Sequence, residues 1–135
     1  MIDFVVDTDV VSYQYRRVPD FERYRTYFED TQAILSFMTY AELLSWGKEN
    51  AWGERRMREL REHINSNFVI FRASNALCEL WSDVRRERKE KGREIATSDA
   101  WIAATAIFLN IPLITNNRRD FELIDRLQLI THAPK

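Results

Sequence analysis

Four carboxylates stand apart from the other Asp and Glu of this sequence because of where they fall. Asp7 closes an apolar run, and Glu42 lies just inside a helix that follows a second one. Asp99 opens a long apolar segment, and Asp120 comes a few residues after the run Leu113-Ile114-Thr115. In open α/β sheets, ligands gather at the carboxyl ends of the strands. These dispersed acids are therefore placed to converge on one cleft. Grouped carboxylates repel one another unless protons or a cation neutralise them. Mg2+ or Mn2+ suits oxygen-only ligation and keeps several waters. Such an ion lowers the pKa of bound water and stabilises charge on a phosphoryl oxygen. The chemistry on offer is phosphodiester hydrolysis, with Asp7, Glu42, Asp99 and Asp120 as metal ligands and catalytic groups. Thr8, Ser98, Thr115, Asn116 and Asn117 are close by in sequence and are placed to orient ligands or waters.

Each acid also has a plain structural role open to it. Asp7 and Asp9 suit a turn after a strand. Thr39-Tyr40-Ala41-Glu42 reads equally as a capping box. Asp99 complements a helix dipole behind a Ser98 cap, and Asn117 to Asp120 suits another cap. Scarce residues narrow the chemistry further. Three Gly cannot assemble a phosphate-binding glycine loop. One Cys excludes an internal disulfide, and two His exclude a histidine-rich metal site. Cys78, between Leu77 and Leu80, reads as core; His63 reads as a surface residue, and His132 falls in a polar tail. Trp46, Trp52, Trp81 and Trp101 read as packing residues. Arg85, Arg86, Arg88, Lys89, Lys91 and Arg93 could meet phosphates. Interleaved with Glu87, Glu90 and Glu94, they read equally as a solvated helix end.

The elements that must position these groups follow from periodicity. The chain has 135 residues, 45% hydrophobic and 30% charged, which suits one folded domain over residues 1–135. Strands are expected over 2–6, 33–37, 68–71, 113–115 and 127–130. Helices are expected over 20–30, 39–48, 51–64 and 75–91, from Ser98 to about Asn110, and briefly near Asp120. Alternating strands and helices point to an α/β domain, a three-layer α/β/α sandwich with a mostly parallel central sheet. No segment approaches the length of an apolar membrane span, and the acidic N-terminus is unlike a signal peptide. A cytoplasmic location is the expectation. The net charge of −1 exerts no global pull on nucleic acid.

Four blocks carry a family resemblance in combination: Val5-Val6-Asp7-Thr8-Asp9-Val10, Thr39-Tyr40-Ala41-Glu42-Leu43, Ser98-Asp99-Ala100-Trp101-Ile102-Ala103-Ala104-Thr105-Ala106, and Leu113-Ile114-Thr115-Asn116-Asn117-Arg118-Arg119-Asp120-Phe121. In this order the chain resembles PIN-domain proteins, and within them the VapC toxin ribonucleases of type II toxin–antitoxin pairs. The resemblance implies a PIN-like fold and Mg2+- or Mn2+-dependent endoribonuclease activity on structured RNA such as tRNA or rRNA. It implies Asp7, Glu42 and Asp99 as central acids and Asp120 as the fourth, with Thr8 and Thr115 as polar supports. Asn117 stands where some members place another acid. A homodimer and a cognate antitoxin are further implications. Two other readings remain. Val6 to Val10 also matches the start of a haloacid dehalogenase-like phosphatase with Asp7 as nucleophile, although no Lys directly follows a strand. A non-catalytic PIN-like binding or structural module is the other.

Overall fold

The computed structural model describes residues 3–133. Five short strands form one sheet: β1 (Phe4–Val6), β2 (Ala33–Ser36), β3 (Val69–Phe71), β4 (Leu113–Ile114) and β5 (Leu129–Ile130). Their order across the sheet is β3-β2-β1-β4-β5, and every pairing is parallel. The sheet is thus parallel throughout. Ile2, expected to open β1, lies outside the described residues.

β1 is central and buried on both faces. Phe4 and Val6 point into one core with Val10, Val11, Leu35, Leu43, Met57, Leu60 and Ile64. Val5 points into the other with Val84, Ile102, Ala103, Ala106, Leu113 and Phe121. The two-residue period of a strand thus divides the molecule into two cores, one on each side of the sheet. Helices α1 (Thr8–Arg16), α2 (Phe37–Glu49) and α3 (Glu54–Asn67) contribute to the first. Helices α4 (Asn75–Glu90) and α5 (Thr97–Leu109) cover the second. A single helical turn, α6 (Arg118–Phe121), follows β4. This is the expected α/β/α sandwich.

Several local expectations need correction. α1 was unforeseen; Asp7 caps it by accepting from the Thr8 N–H, and it ends at Arg17 in the left-handed region (φ 56°). The stripe over 20–30 is two 3-10 turns, Pro19–Arg23 and Arg25–Phe28. Tyr24, between them, is drawn fully into the core. α2 starts at Phe37 because the Ser36 hydroxyl caps it, so Thr39 to Glu42 is not a capping box. α5 starts at Thr97 with Ala96 at its cap, so Ser98 is not the cap. Asn117 does occupy the cap position of α6, without a side-chain cap bond. Cys78 is exposed rather than core. His63 is half-buried, held by Gln14 and packed edge-on against Tyr15. Among the described residues, no helix is long and apolar enough to cross a membrane.

Candidate active site

The strand order runs from β1 to β3 in one direction, then returns through β4 and β5 in the other. The crevice at such a switch lies beyond the carboxyl ends of β1 and β4. Asp7 and Asp9 follow β1 there, and Thr115 to Asp120 follow β4. Ser36 ends the adjacent β2, which sends α2 and Glu42 toward the same edge.

Hydrogen bonds lock these segments together. The Thr115 hydroxyl donates to Asp7 Oδ2 at 2.7 Å, and the Thr8 N–H donates to Asp7 Oδ1 at 2.7 Å. Both oxygens of a side chain only 6% exposed are thus engaged. The Thr8 hydroxyl lies 2.8 Å from Glu42 Oε1 and 3.1 Å from the buried Thr39 hydroxyl, bridging α1 and α2. The Asn116 N–H donates to Asp9 Oδ2 at 3.1 Å. The Asn117 N–H donates to Thr115 Oγ1, and its amide donates to Asp120 Oδ2 at 2.6 Å. Tyr24 donates to Asn116 Oδ1 at 2.6 Å and accepts from the His132 N–H. Ser98 makes no side-chain hydrogen bond among the described residues.

The electrostatics are those of crowded carboxylates. Burial holds Asp7 well above the usual carboxylate range, and the charges of Asp9 and Asp99 add to the rise. Asp9 is raised by burial and by Asp120, against the backbone bonds from Val10 and Asn116. Burial, Asp120, Glu42 and Asp9 push Asp99 up to about 7, with Arg88 opposing. Asp7, Glu42, Asp99 and Asp120 therefore feel a common field, and none forms an ion pair among the described residues. Asp9 belongs with them. In sequence it suits a turn after a strand; its place in the first turn of α1, two residues after Asp7, is the signal that groups it with the other acids.

This donor set fits a hard divalent ion: all oxygen, mutually repelling and poorly neutralised by protein cations. Among the described residues, no three His, Cys, Asp or Glu side chains close around one point. An ion that keeps most of its waters, as Mg2+ usually does, needs only one or two direct carboxylates.

The basic residues behave differently from one another. Arg88 is buried at 2% exposure, so it cannot serve as an RNA contact. It extends the inward stripe of α4, and its guanidinium donates to the carbonyls of Arg93 (3.0 Å) and Asp120 (2.7 Å). Arg93 pairs with Glu122 at 2.9 Å and also donates to the Arg119 carbonyl. Lys91 pairs with Asp125 and Glu87. Arg85 donates to Thr97 and lies over Trp81. Arg86 and Lys89 remain exposed. No described Lys acts on Asp7: Lys91 is paired, Lys48 sits in the last turn of α2, and Lys89 lines a separate hollow beside Glu94. The phosphatase constellation thus lacks its cation among these residues.

The sequence matches the PIN domain over residues 4–127. It is 31% identical over 130 residues to ribonuclease VapC1 of Haemophilus influenzae (strain R2866), covering 93% of this chain and 94% of the relative. It is 23% identical over 128 residues to the tRNA(fMet)-specific endonuclease VapC of Shigella flexneri, covering 95% and 96%. A chain in the structure of VapBC-1 from nontypeable Haemophilus influenzae superposes with a TM-score of 0.80 at 26% identity, covering 96% of this chain and 98% of that one. A chain in the structure of VapBC2 from Rickettsia felis bound to a DNA fragment from their promoter shares the fold, with a TM-score of 0.82 at 23% identity over 97% and 99%.

Proposed function

The chain belongs to the PIN domain family, and from that membership we propose that it is a VapC-type endoribonuclease, the toxin of a toxin–antitoxin pair. The substrate would be structured RNA, tRNA or rRNA, and the partner a cognate antitoxin. The reaction would depend on Mg2+ or Mn2+ and take place in the cytoplasm. A homodimer is part of the same reading. The exposed Val69 and Phe108, on β3 and α5, are apolar surface that such an assembly could cover.

The observation that carries the reading is that Asp7, Asp9, Glu42, Asp99 and Asp120 lie near enough to act on one another's charge, with no ion pair to balance them among the described residues. One or two of Asp99, Glu42 and Asp120 would hold the ion directly and the others through its waters, with Asp7 as a buried anchor between Thr8 and Thr115. When bound, the ion supplies a nucleophile at neutral pH and stabilises charge on the phosphate. Thr8 would fix the Glu42 carboxylate, and Asn117 would fix that of Asp120. Asp99, whose carboxyl lies near neutrality, can carry a proton when no ion is present.

The test is cleavage of total cellular RNA in Mg2+, with the new ends sequenced, by the native chain and by Asp7→Asn and Asp99→Asn. Discrete ends from the native protein alone are expected. Full Mg2+-dependent cleavage by Asp7→Asn would overturn the assignment. Calorimetric titration of the metal-stripped protein addresses the non-catalytic module, which predicts no Mn2+ binding.

A further inference from the structure

Where RNA lies on the protein is a separate question, and the basic run of α4 is a poor answer to it. Arg88 is buried, Arg93 and Lys91 are paired with acids, and Arg85 is engaged by Thr97. The exposed pair Arg86 and Lys89 lines a small hollow of about 240 Å³ that also contains Glu94 and none of the acid cluster.

A larger open groove of about 630 Å³ is formed by Asn116, Asn117, Arg118 and Arg119, with Arg93 and Glu122 in its wall. That volume lies within the range of small-ligand sites, about 300–1,000 Å³. It has room for a nucleotide or two, not for a folded RNA. Arg93 and Glu122 cancel each other. Arg118 and Arg119 are exposed and make no ion pair among the described residues, so the groove carries their two positive charges unbalanced. Its floor is shared with the acids. The Asn116 N–H is on Asp9, and the Asn117 amide is on Asp120. A phosphate in this groove is therefore next in line to whatever reacts at the crevice.

We propose that the RNA backbone enters the site through this groove, with Arg118 and Arg119 holding the phosphates that flank the cleaved bond. This rests on the ribonuclease reading above. It moves the RNA contacts from α4 to the turn after β4. Arginines placed this way bind phosphate without reading bases, so they set register and affinity rather than sequence preference. The backbone around them is already committed. The Arg119 carbonyl accepts from Arg93, and the Asp120 carbonyl accepts from Arg88. Changing the two exposed side chains therefore leaves the acids where they are.

The experiment measures binding of bulk tRNA to the full chain in the Asp7→Asn background, across a range of salt. Arg118→Gln and Arg119→Gln are each expected to weaken binding roughly tenfold, the scale of one charged hydrogen bond. Each should also reduce the slope of log K against log[salt] by about 0.7–0.9. Arg118→Lys and Arg119→Lys should keep the slope. Arg86→Gln with Lys89→Gln should change neither quantity. Unchanged affinity and slope in both Gln variants would overturn the proposal, as would a slope lost with Arg86 and Lys89 instead. If Asp7→Asn binds no tRNA and the native protein cuts no RNA, the ribonuclease reading falls, and this one falls with it.

Discussion

Removing one acid from the crevice should stabilise the metal-free fold, and Asp99→Asn is the substitution to make. In the folded chain, burial and the charges of Asp120, Glu42 and Asp9 lift the Asp99 carboxyl from 3.8 to about 7. A raised carboxyl pKa means that the folded state holds its proton more tightly than the unfolded chain does. Well below 3.8 both states are protonated, and Asp99 costs nothing. From about pH 4 to pH 7 the unfolded chain ionises first, and the penalty on folding grows. Above pH 7 it levels off. At 1.36 kcal/mol per pH unit, the full rise corresponds to at most about 4 kcal/mol. Asp99 is partly open to water, so the expected share is ~1–2 kcal/mol. Urea unfolding of the EDTA-treated proteins at pH 4, 6 and 8 reads this directly. Asp99→Asn should match the native protein at pH 4 and exceed it by ~1–2 kcal/mol at pH 8. Adding Mn2+ at 100 times its Kd should then stabilise the native protein by about 2.7 kcal/mol and the variant far less, inverting their order. A variant less stable than the native protein at pH 8, or equally favoured at pH 4 and pH 8, would refute the account of crowded carboxylates.

Other substitutions test the scaffold around the site. Arg88→Met leaves the Arg93 and Asp120 carbonyls without their donor; it should cost about 2–3 kcal/mol, seen as a fall in Tm of roughly 10 °C. Tyr24→Phe removes the hydroxyl that joins Asn116 to the His132 N–H. A loss of about 1–3 kcal/mol by urea unfolding is expected, with slower RNA cleavage as Asn116 loosens its hold on Asp9. Gly47→Ala places a methyl 2.5 Å from the Met57 sulfur and 3.1 Å from the Trp52 ring. The thioether can shift, so a cost of about 1 kcal/mol is expected on thermal unfolding.

Much of the architecture was legible because strands and helices announce themselves by period. The continuous apolar run ending at Asp7 is what a central parallel strand requires, and β1 is that strand, buried on both faces. The acids were legible for a related reason. Each follows or flanks an apolar element, so the topology alone carries it to the same sheet edge. The missing pieces were those set by partners distant in sequence. α1 is short, and its polar half hides the signal of Val10 and Val11. With α1 unread, Asp9 looked like a turn residue rather than one aimed at the Asn116 N–H, 107 positions away. Tyr24 fitted a helical stripe, but its hydroxyl fixes Asn116, a contact that no local pattern encodes.

The charged half of α4 makes the point about what composition conceals. As a composition, Arg85 to Arg93 is a basic patch with acids mixed in. As a period, it is the end of an amphipathic face. Leu77, Trp81, Val84 and Arg88 recur at the four-, three- and four-residue steps of one helix stripe. The first three pack inward, and so does the fourth, which is as buried as an aliphatic residue would be. A guanidinium is tolerated there because its donors find carbonyls, and because Asp99, Asp120 and Glu122 offset its charge. The crevice thus gains a fixed cation behind it, which lowers the Asp99 carboxyl without forming an ion pair that would compete with a bound metal. The arginine that looked most like part of an RNA patch acts from inside the fold, and the turn it holds carries the two arginines left facing out.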